Sequence, residues 1–343
     1  MRETCAMALS KLVSVNIVTF NSEKYIRKCL DSVFAQSYPH IEVRVFDNGS
    51  KDGTCSIVKD CYPRVELIES PDNLMFARAH NECIAISNGE YILPLNHDIV
   101  LDPDYVRYMV EAIEYDDDIG SVSGKLYRAG KNLEAIDEKI FDSTGLYFTL
   151  CHRHFDRGSN QPDTGQYESV ELIFGPSGAA PLYKRAMLDD VGLDGEYFDN
   201  DFVFYREDAD LAWRAQIMGW RSVYTPLAIG YHIRSVLPED RHGAGTLVNM
   251  HSVKNRFLLR IKNETPLVFL KTFCNTAFRD LLVIGYVLLV ERTSVPGLLI
   301  VLKRLPATWR KRRCIMAKKR VSDRYLARWF SNRPVTFPID TGK

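Results

Sequence analysis

The sequence predicts an α/β fold: a mostly parallel central sheet flanked by helices, with a C-terminal helical extension. Three observations predict it. Short apolar, β-branched runs alternate with stretches of helical periodicity through the first third of the chain. Polar clusters stand at or just after the ends of those runs, where ligands bind in such sheets. From about residue 248 the alternation gives way to long apolar helical patterns and then to a basic run.

The elements follow in order. VSVNIVTF (13–20) reads as a buried strand, and 23–36 as a helix through Tyr25, Ile26, Leu30, Val33 and Phe34. IEVRVFD (41–47) is a second strand, Gly53–Cys61 a helix, VELIE (65–69) a third strand, 75–87 a helix and EYILPL (90–95) a fourth strand. Asp102-Pro103 opens a helix over 103–115. Residues 127–170 show no clear period; strand-like segments recur at 169–174 and 178–183. A helix from Arg206 to Met218 stops at Gly219, and RSVYTP (221–226) and IGYHI (229–233) complete the globular part. This gives an N-terminal tail (1–11), a catalytic-type domain (12–247) and a helical, basic C-terminal region (248–343).

The 343 residues, 46% hydrophobic and 26% charged, suit a globular chain with a sizeable core. Eight cysteines show no C-x-x-C pair or zinc spacing, so reduced thiols in the cytoplasm are expected. The first 18 residues lack a continuous apolar stretch, so no secretory leader is expected. The net charge of zero conceals a division: residues 292–343 hold fourteen Lys/Arg and two Asp, leaving thirty basic and forty-two acidic residues before them. Such segregation suggests a partner that only the tail touches, anionic lipid first and nucleic acid second. LLVIGYVLLV (281–290) and PGLLIVL (296–302) are each too short to span a bilayer, which takes about 20 residues. Beside KRLPATWRKRRCIMAKKR (303–320) they fit an interfacial membrane anchor, or a helical subdomain with a solvated basic face. Few aromatics interleave the basic residues and no recognition motif precedes them, which argues against nucleic acid.

No G-x-G-x-x-G follows the first strand and no P-loop occurs; Gly175-Pro176-Ser177-Gly178 lacks the spacing of a nucleophile elbow. Thr19-Phe20-Asn21, Asp47-Asn48 and Asn96-His97-Asp98 remain as strand-end clusters, which form one site or merely cap turns and helices. Asp98, directly after an apolar strand, suits a hard divalent cation that absorbs the charge of a departing diphosphate. His232 is a second ligand or a hydrogen-bonded structural histidine. Glu207-Asp208 open a helix, either as proton acceptors or as acids complementing the helix dipole. Asp210 and Arg214, at i,i+4, read as an ordinary helix-surface pair.

Seven segments in this order, VNIVTFN (15–21), VFDNGSKDGT (45–54), PDNLMFARAHN (71–81), GEYILPLNHDIVLDPD (89–104), FGPSGAAPLYKRAM (174–187), YFDNDFVFYREDADLAWR (197–214) and GWRSVYTPLAIGYH (219–232), are specific together. Over about residues 12–260 the chain resembles the inverting glycosyltransferases of family 2, with the GT-A fold, and among them bacterial rhamnosyltransferase-like members that build surface polysaccharides. The resemblance implies a nucleoside-diphosphate sugar donor, a glycan or lipid-linked saccharide acceptor, and Mg²⁺ or Mn²⁺. It implies nucleotide-sugar contacts by Thr19, Asn21, Asp47, Arg78 and Asn96, metal ligation by Asp98 and His232, and Asp208 as general base. Glu207 and Arg214 would support the base, with Trp213 and Arg214 holding the helix. Asn96 departs from the family's D-x-D pattern, since an amide brings no charge; a decayed, sugar-nucleotide-binding protein is the alternative this raises. The cysteine usage and the apolar, basic tail together give the expectation of a cytoplasmic protein, peripheral on the inner face of the plasma membrane.

Overall fold

The computed structural model describes residues 10–203, 205–234 and 245–339. Most of the expected N-terminal tail (1–11) and the last four residues of the basic region therefore lie outside the described residues. The first part runs β1 (Val13–Thr19), α1 (Ile26–Phe34), β2 (Ile41–Asp47), α2 (Thr54–Cys61), β3 (Glu66–Glu69), α3 (Met75–Ile86), β4 (Tyr91–Asn96), β5 (Ile99–Leu101), α4 (Tyr105–Ile113) and β6 (Ile119–Arg128). There follow β7 (Phe141–Ser143), β8 (Leu146–Phe148), β9 (His154–Asp156), β10 (Glu171–Ile173), β11 (Leu182–Lys184), α5 (Arg185–Val191), α6 (Glu207–Ile217) and β12 (Arg221–His232). The C-terminal region supplies α7 (Gly245–Asn263), α8 (Pro266–Leu289), α9 (Val295–Ala317), α10 (Asp323–Ala327) and β13 (Phe337–Pro338).

One sheet runs in the order β13-β10-β12-β6-β11-β4-β1-β2-β3, with β5 added on β12 and β7 on β6. The half formed by β3, β2, β1 and β4 is parallel, as the alternating pattern predicts. Its central strands are the most deeply buried; Val13, Val15 and Ile17 of β1 and Ile92, Leu93 and Leu95 of β4 are fully buried. Beyond β4 the sheet is mixed: β11 is antiparallel to β4 and β6, and β6 is parallel to β12. The segments 221–226 and 229–233, read separately from the sequence, belong to the single strand β12. Its pairing with β6 is interrupted between Tyr224 and Ile229, around Pro226, which has no N–H for the ladder.

The C-terminal helices are built into this body. Trp213 of α6 is fully buried against Phe148 (ring centroids 5.2 Å) and Phe330 (5.0 Å). After α10 the chain returns to the sheet, where β13 pairs antiparallel with β10. Ion pairs join the basic region to the acidic domain: Lys311–Asp199 (2.6 Å), Arg320–Asp190 (2.6 Å) and Arg310–Asp194 (2.9 Å). Part of the segregated charge is thus met inside the chain.

The outer faces of α8 and α9 have no such cover. Leu270, Leu281 and Leu289 are 71%, 71% and 77% exposed, and Phe278, Leu299 and Leu302 more than half exposed. Lys303 and Arg313 lie exposed along α9 beside Leu302 and Trp309. Among the described residues no single helix is long and apolar enough to cross a membrane; the two segments Pro266–Leu289 and Arg292–Ala317 pass on length and composition only as a pair bent by 109°.

Candidate active site

The strand ends converge as the topology requires. The end of β1 pairs with the end of β2, placing Thr19 beside Asp47. The Thr19 hydroxyl donates to Asp47 Oδ1 (3.1 Å), and Asp47 Oδ2 accepts from the backbone N–H groups of Gly49 (3.1 Å) and Ser50 (2.8 Å). The Ser50 hydroxyl also donates to Oδ1. The Asp47 carboxylate, 2% exposed, therefore spends its acceptor positions holding the 47–50 turn in shape. Asn21 sits at φ 50° beside it; its Oδ1 accepts from the Lys51 N–H (2.8 Å). Arg78 of α3 lines a cavity with Asn200, Phe202 and Val203.

The second group forms where β5 runs antiparallel to the end of β12, in a register that sets Ile99 opposite His232. Asp98 Oδ1 lies 3.4 Å from His232 Nε2, and Asn96 Nδ2 also lies 3.4 Å from that nitrogen. His232 Nδ1 faces Asp142 Oδ2 at 2.8 Å. Arg234 continues the chain of contacts, pairing with Asp142 (3.2 Å) and Asp156 (2.5 Å). Burial opposes a proton on His232, but Asp142 and Asp98 outweigh it and push its pKa up to about 10. Asp98 is held below the usual carboxylate range: burial works against its charge, and the hydrogen bond and charge of His232 prevail.

These residues fit a divalent cation in kind. A carboxylate and an imidazole nitrogen converge, the other imidazole nitrogen is fixed by a carboxylate, and the positive charge now drawn to that nitrogen is what a cation would replace. Among the described residues no three His, Cys, Asp or Glu side chains gather at metal-ligand spacing, so the amide of Asn96 is the nearest further donor from the chain.

The third group is Glu207-Asp208 at the start of α6. Tyr205 and Arg206 before them both have positive φ, 59° and 76°, a costly conformation for two successive non-glycine residues. The turn brings α6 in sharply, and Gly175 permits its approach: a Cβ there would lie 2.2 Å from the Ala212 Cβ. Asp208 accepts from the Gly178 N–H (3.0 Å) and the Ala209 N–H (2.7 Å). The neighbouring Ala179 carbonyl accepts from the Asn96 N–H (2.9 Å), so the span 178–179 ties Asp208 to the end of β4. Burial and the charge of Asp156 push the Asp208 carboxyl up to about 6, against those two hydrogen bonds. Glu207 is buried, one of its oxygens has no hydrogen-bond partner, and burial with the Asp208 charge raises it further still. An acid that merely complemented the helix dipole would be solvated and lowered. This pair is neither.

Asp210 and Arg214 overturn their reading as a helix-surface pair: both are fully buried. Arg214 pairs with Asp210 (2.9 Å) and donates to the Val191 (2.5 Å) and Tyr197 (2.6 Å) carbonyls, fixing α6 against α5 and the loop after it. Sequence reasoning missed Asp142, Asp156 and Arg234. Arg234 stands two residues beyond the His232 motif and carried a usable signal; Asp142 and Asp156 lie in the stretch without a clear period.

Residues 14–191 match the family described as Glycosyl transferase family 2. Poly-beta-1,6-N-acetyl-D-glucosamine synthase of Staphylococcus epidermidis is 26% identical over 219 residues, covering 63% of this chain and 48% of that protein. Its Staphylococcus aureus counterpart is 27% identical over 217 residues, covering 62% and 48%. The chain thus spans about half the length of the curated relatives it matches. Among solved structures, GalNAc-T7 with UDP, GalNAc and Mn²⁺ aligns with a TM-score of 0.57 at 14% identity, over 74% of this chain and 48% of that one. S. aureus TarS aligns with 0.52 at 20%, over 92% and 50%, and its residues 1–349 with UDP-GlcNAc with 0.53 at 16%, over 89% and 90%. At these identities the structural likeness establishes the fold, which is GT-A. With more than half of its length matched by the family model, the chain belongs to glycosyl transferase family 2.

Proposed function

We propose that this enzyme moves a sugar, with inversion, from a nucleoside-diphosphate donor to a hydroxyl of a glycan or lipid-linked acceptor in surface-polysaccharide synthesis. The observation that carries the reading is Asp208: a half-buried carboxylate, poised near neutral pH, tied through Gly178-Ala179 to the strand end that bears Asn96 and Asp98. Asp208 takes the proton of the acceptor hydroxyl as it attacks the anomeric carbon. Glu207, kept neutral by burial, leaves Asp208 as the charged member of the pair. Thr19 and Asn21 face the nucleotide, and Asp47 positions that turn instead of reaching out itself. Arg78 contacts the donor from the α3 side. Asp98 and His232, with Asn96 beside them, hold a Mg²⁺ or Mn²⁺ ion, and Asp142 and Arg234 orient His232. When bound, that cation supplies Lewis-acid stabilisation of the departing diphosphate.

Release of nucleoside diphosphate from a panel of sugar nucleotides tests the reading. Thymidine-diphosphate rhamnose is the donor the family subgroup suggests; UDP-N-acetylglucosamine joins the panel because a structure of similar fold binds it. Chelation with EDTA is expected to abolish turnover and added Mn²⁺ to restore it. The spectrum of bound Mn²⁺ should be lost in His232→Ala. Undiminished turnover in EDTA would remove the metal from the site, and metal-independent binding without turnover would favour the decayed protein raised by Asn96.

We also propose that the enzyme works as a peripheral protein on the inner face of the plasma membrane. The exposed leucines of α8 and α9 beside Lys303 and Arg313 support an anionic lipid surface as their cover. Flotation with phosphatidylglycerol vesicles should retain the protein, and Leu281→Glu with Leu302→Glu should lower the bound fraction at least about tenfold. Equal flotation of the double variant would dismiss this face.

A further inference from the structure

Residues 197–203 contain no helix or strand, yet side chains from four helices hold them. From α3, Asn81 Oδ1 accepts from the N–H groups of Tyr197 (3.1 Å) and Phe198 (2.9 Å), and Asn81 Nδ2 donates to the Phe198 carbonyl (2.7 Å) and to Asn200 Oδ1 (3.1 Å). From α6, Arg214 donates to the Tyr197 carbonyl. From α7, Lys262 pairs with Asp199, and Lys254 Nζ donates to the Asp201 carbonyl (2.5 Å). From α9, Lys311 Nζ reaches Asp199 (2.6 Å) and Asp201 (3.2 Å). All three lysines are buried. Taking an ammonium group out of water is costly, and three of them on one short stretch fix its place from outside.

What this stretch places is the wall of the cavity that Arg78 lines, through Asn200, Phe202 and Val203. Asn81 stands about one helical turn after Arg78 on α3. Contacts therefore run from Lys311 through Asp199 and Asp201 to Asn200, and on to the helix that carries Arg78. Lys262 acts on two sides, since it also pairs with Asp210 (2.8 Å) on the helix that bears Asp208. The carboxylates that Lys311 meets are all on the loop side: Glu196 (3.7 Å), Asp199 and Asp201. Resting on the transferase reading above, we propose that Lys311 and Lys254 are positioning residues for the donor. From the C-terminal helices they fix residues 197–203, and through them the donor-side cavity of Arg78. The C-terminal region is then a working part of the donor site.

Lys311→Met in the full chain tests this. Methionine fills the space and removes both ties to the loop, while Lys262 stays on Asp199 and on α6. Calorimetry measures binding of UDP and of thymidine diphosphate, each with Mn²⁺; steady-state kinetics uses UDP-N-acetylglucosamine and thymidine-diphosphate rhamnose. Affinity for the nucleotide that the wild type binds should fall about tenfold and KM rise likewise, with kcat within about threefold. Amide exchange in residues 197–203 should quicken about tenfold, with α6 unchanged. Lys254→Met, which removes a different tie to the same loop, should act in the same direction. Adding Asp201→Asn to Lys311→Met separates positioning from stability. It removes a carboxylate left short of positive charge, so Tm should return towards wild type, but the tie is still missing and affinity should stay low. Recovery of affinity together with Tm would make Lys311 a stabilising residue only and overturn the proposal. Unchanged exchange in 197–203, or a fall in kcat with KM unaltered, would overturn it too. Failure of the wild type to bind either nucleotide would sink the transferase reading and the donor role with it. Equal binding by wild type and Lys311→Met would sink this proposal alone.

Discussion

Asp208→Asn is expected to lower kcat by about 10²- to 10⁴-fold, the usual contribution of a positioned general base, without lowering Tm. The amide keeps the size of the side chain and removes the lone pair that takes the proton. The stability arm follows from the direction of the shift. The folded carboxyl sits at about 6, above the about 3.9 of an unfolded aspartate, so ionised Asp208 works against the fold. Stability kept by the neutral carboxyl below about pH 4 is lost as pH rises towards about 6, and the asparagine escapes that loss. In the wild type kcat/KM should climb with pH through about 6 as the base ionises. The groups facing it are Asp156 and Arg234, with Glu207 beside it, so Asp156→Asn should shift that limb to lower pH. Steady-state kinetics against pH and a melting curve at neutral pH check both arms. Turnover within about threefold of wild type in Asp208→Asn would remove the residue from its role.

Lys262→Met should be the most destabilising single change, on the order of 3–5 kcal/mol and 10 °C in Tm. Lys262, 1% exposed, pairs with Asp199 and with Asp210 of α6 (2.8 Å). Lys311 of α9 reaches Asp199 (2.6 Å) and Asp201 (3.2 Å) from the other side. Burial opposes the charge of Asp199, yet Lys262 and Lys311 hold its pKa below the ordinary range. That stabilisation is present above about pH 4 and fades as pH falls further, so the variant should also lose some of its acid sensitivity. Methionine fills the volume and leaves two carboxylates buried with too little positive charge. Thermal melts at neutral pH and at pH 4 test this; a Tm within about 2 °C of wild type would show that the network carries little of the docking.

The parallel half of the sheet was legible because β1, β2 and β4 are short segments rich in apolar residues, several of them β-branched, with helical patterns between them. The strands β7, β8 and β9 were not, since three residues give no period to read. The partnership of His232 with Asp142 joins positions ninety residues apart, and nothing local to either announces it. Asp210 and Arg214 misled for a related reason. A charged i,i+4 pair ordinarily marks a solvated face, but here every residue from Ala209 to Ile217 is buried under α5, α7 and the aromatic cluster around Trp213. The residues proposed for catalysis, by contrast, sit at strand ends and a helix start, where the architecture itself directs attention.

The pairing of β13 with β10 has a consequence for how the enzyme is made. Residues 171–173 wait for a partner at 337–338, and Phe148 and Trp213 wait for Phe330. During synthesis, the leucine-rich face of α8 and α9 leaves the ribosome before the strand that completes the body does. The nascent chain therefore presents its exposed apolar surface while its core is still open. A stop codon between α9 and Phe330 would leave β10 and Trp213 without these partners, even though every residue proposed to touch substrate had already been made.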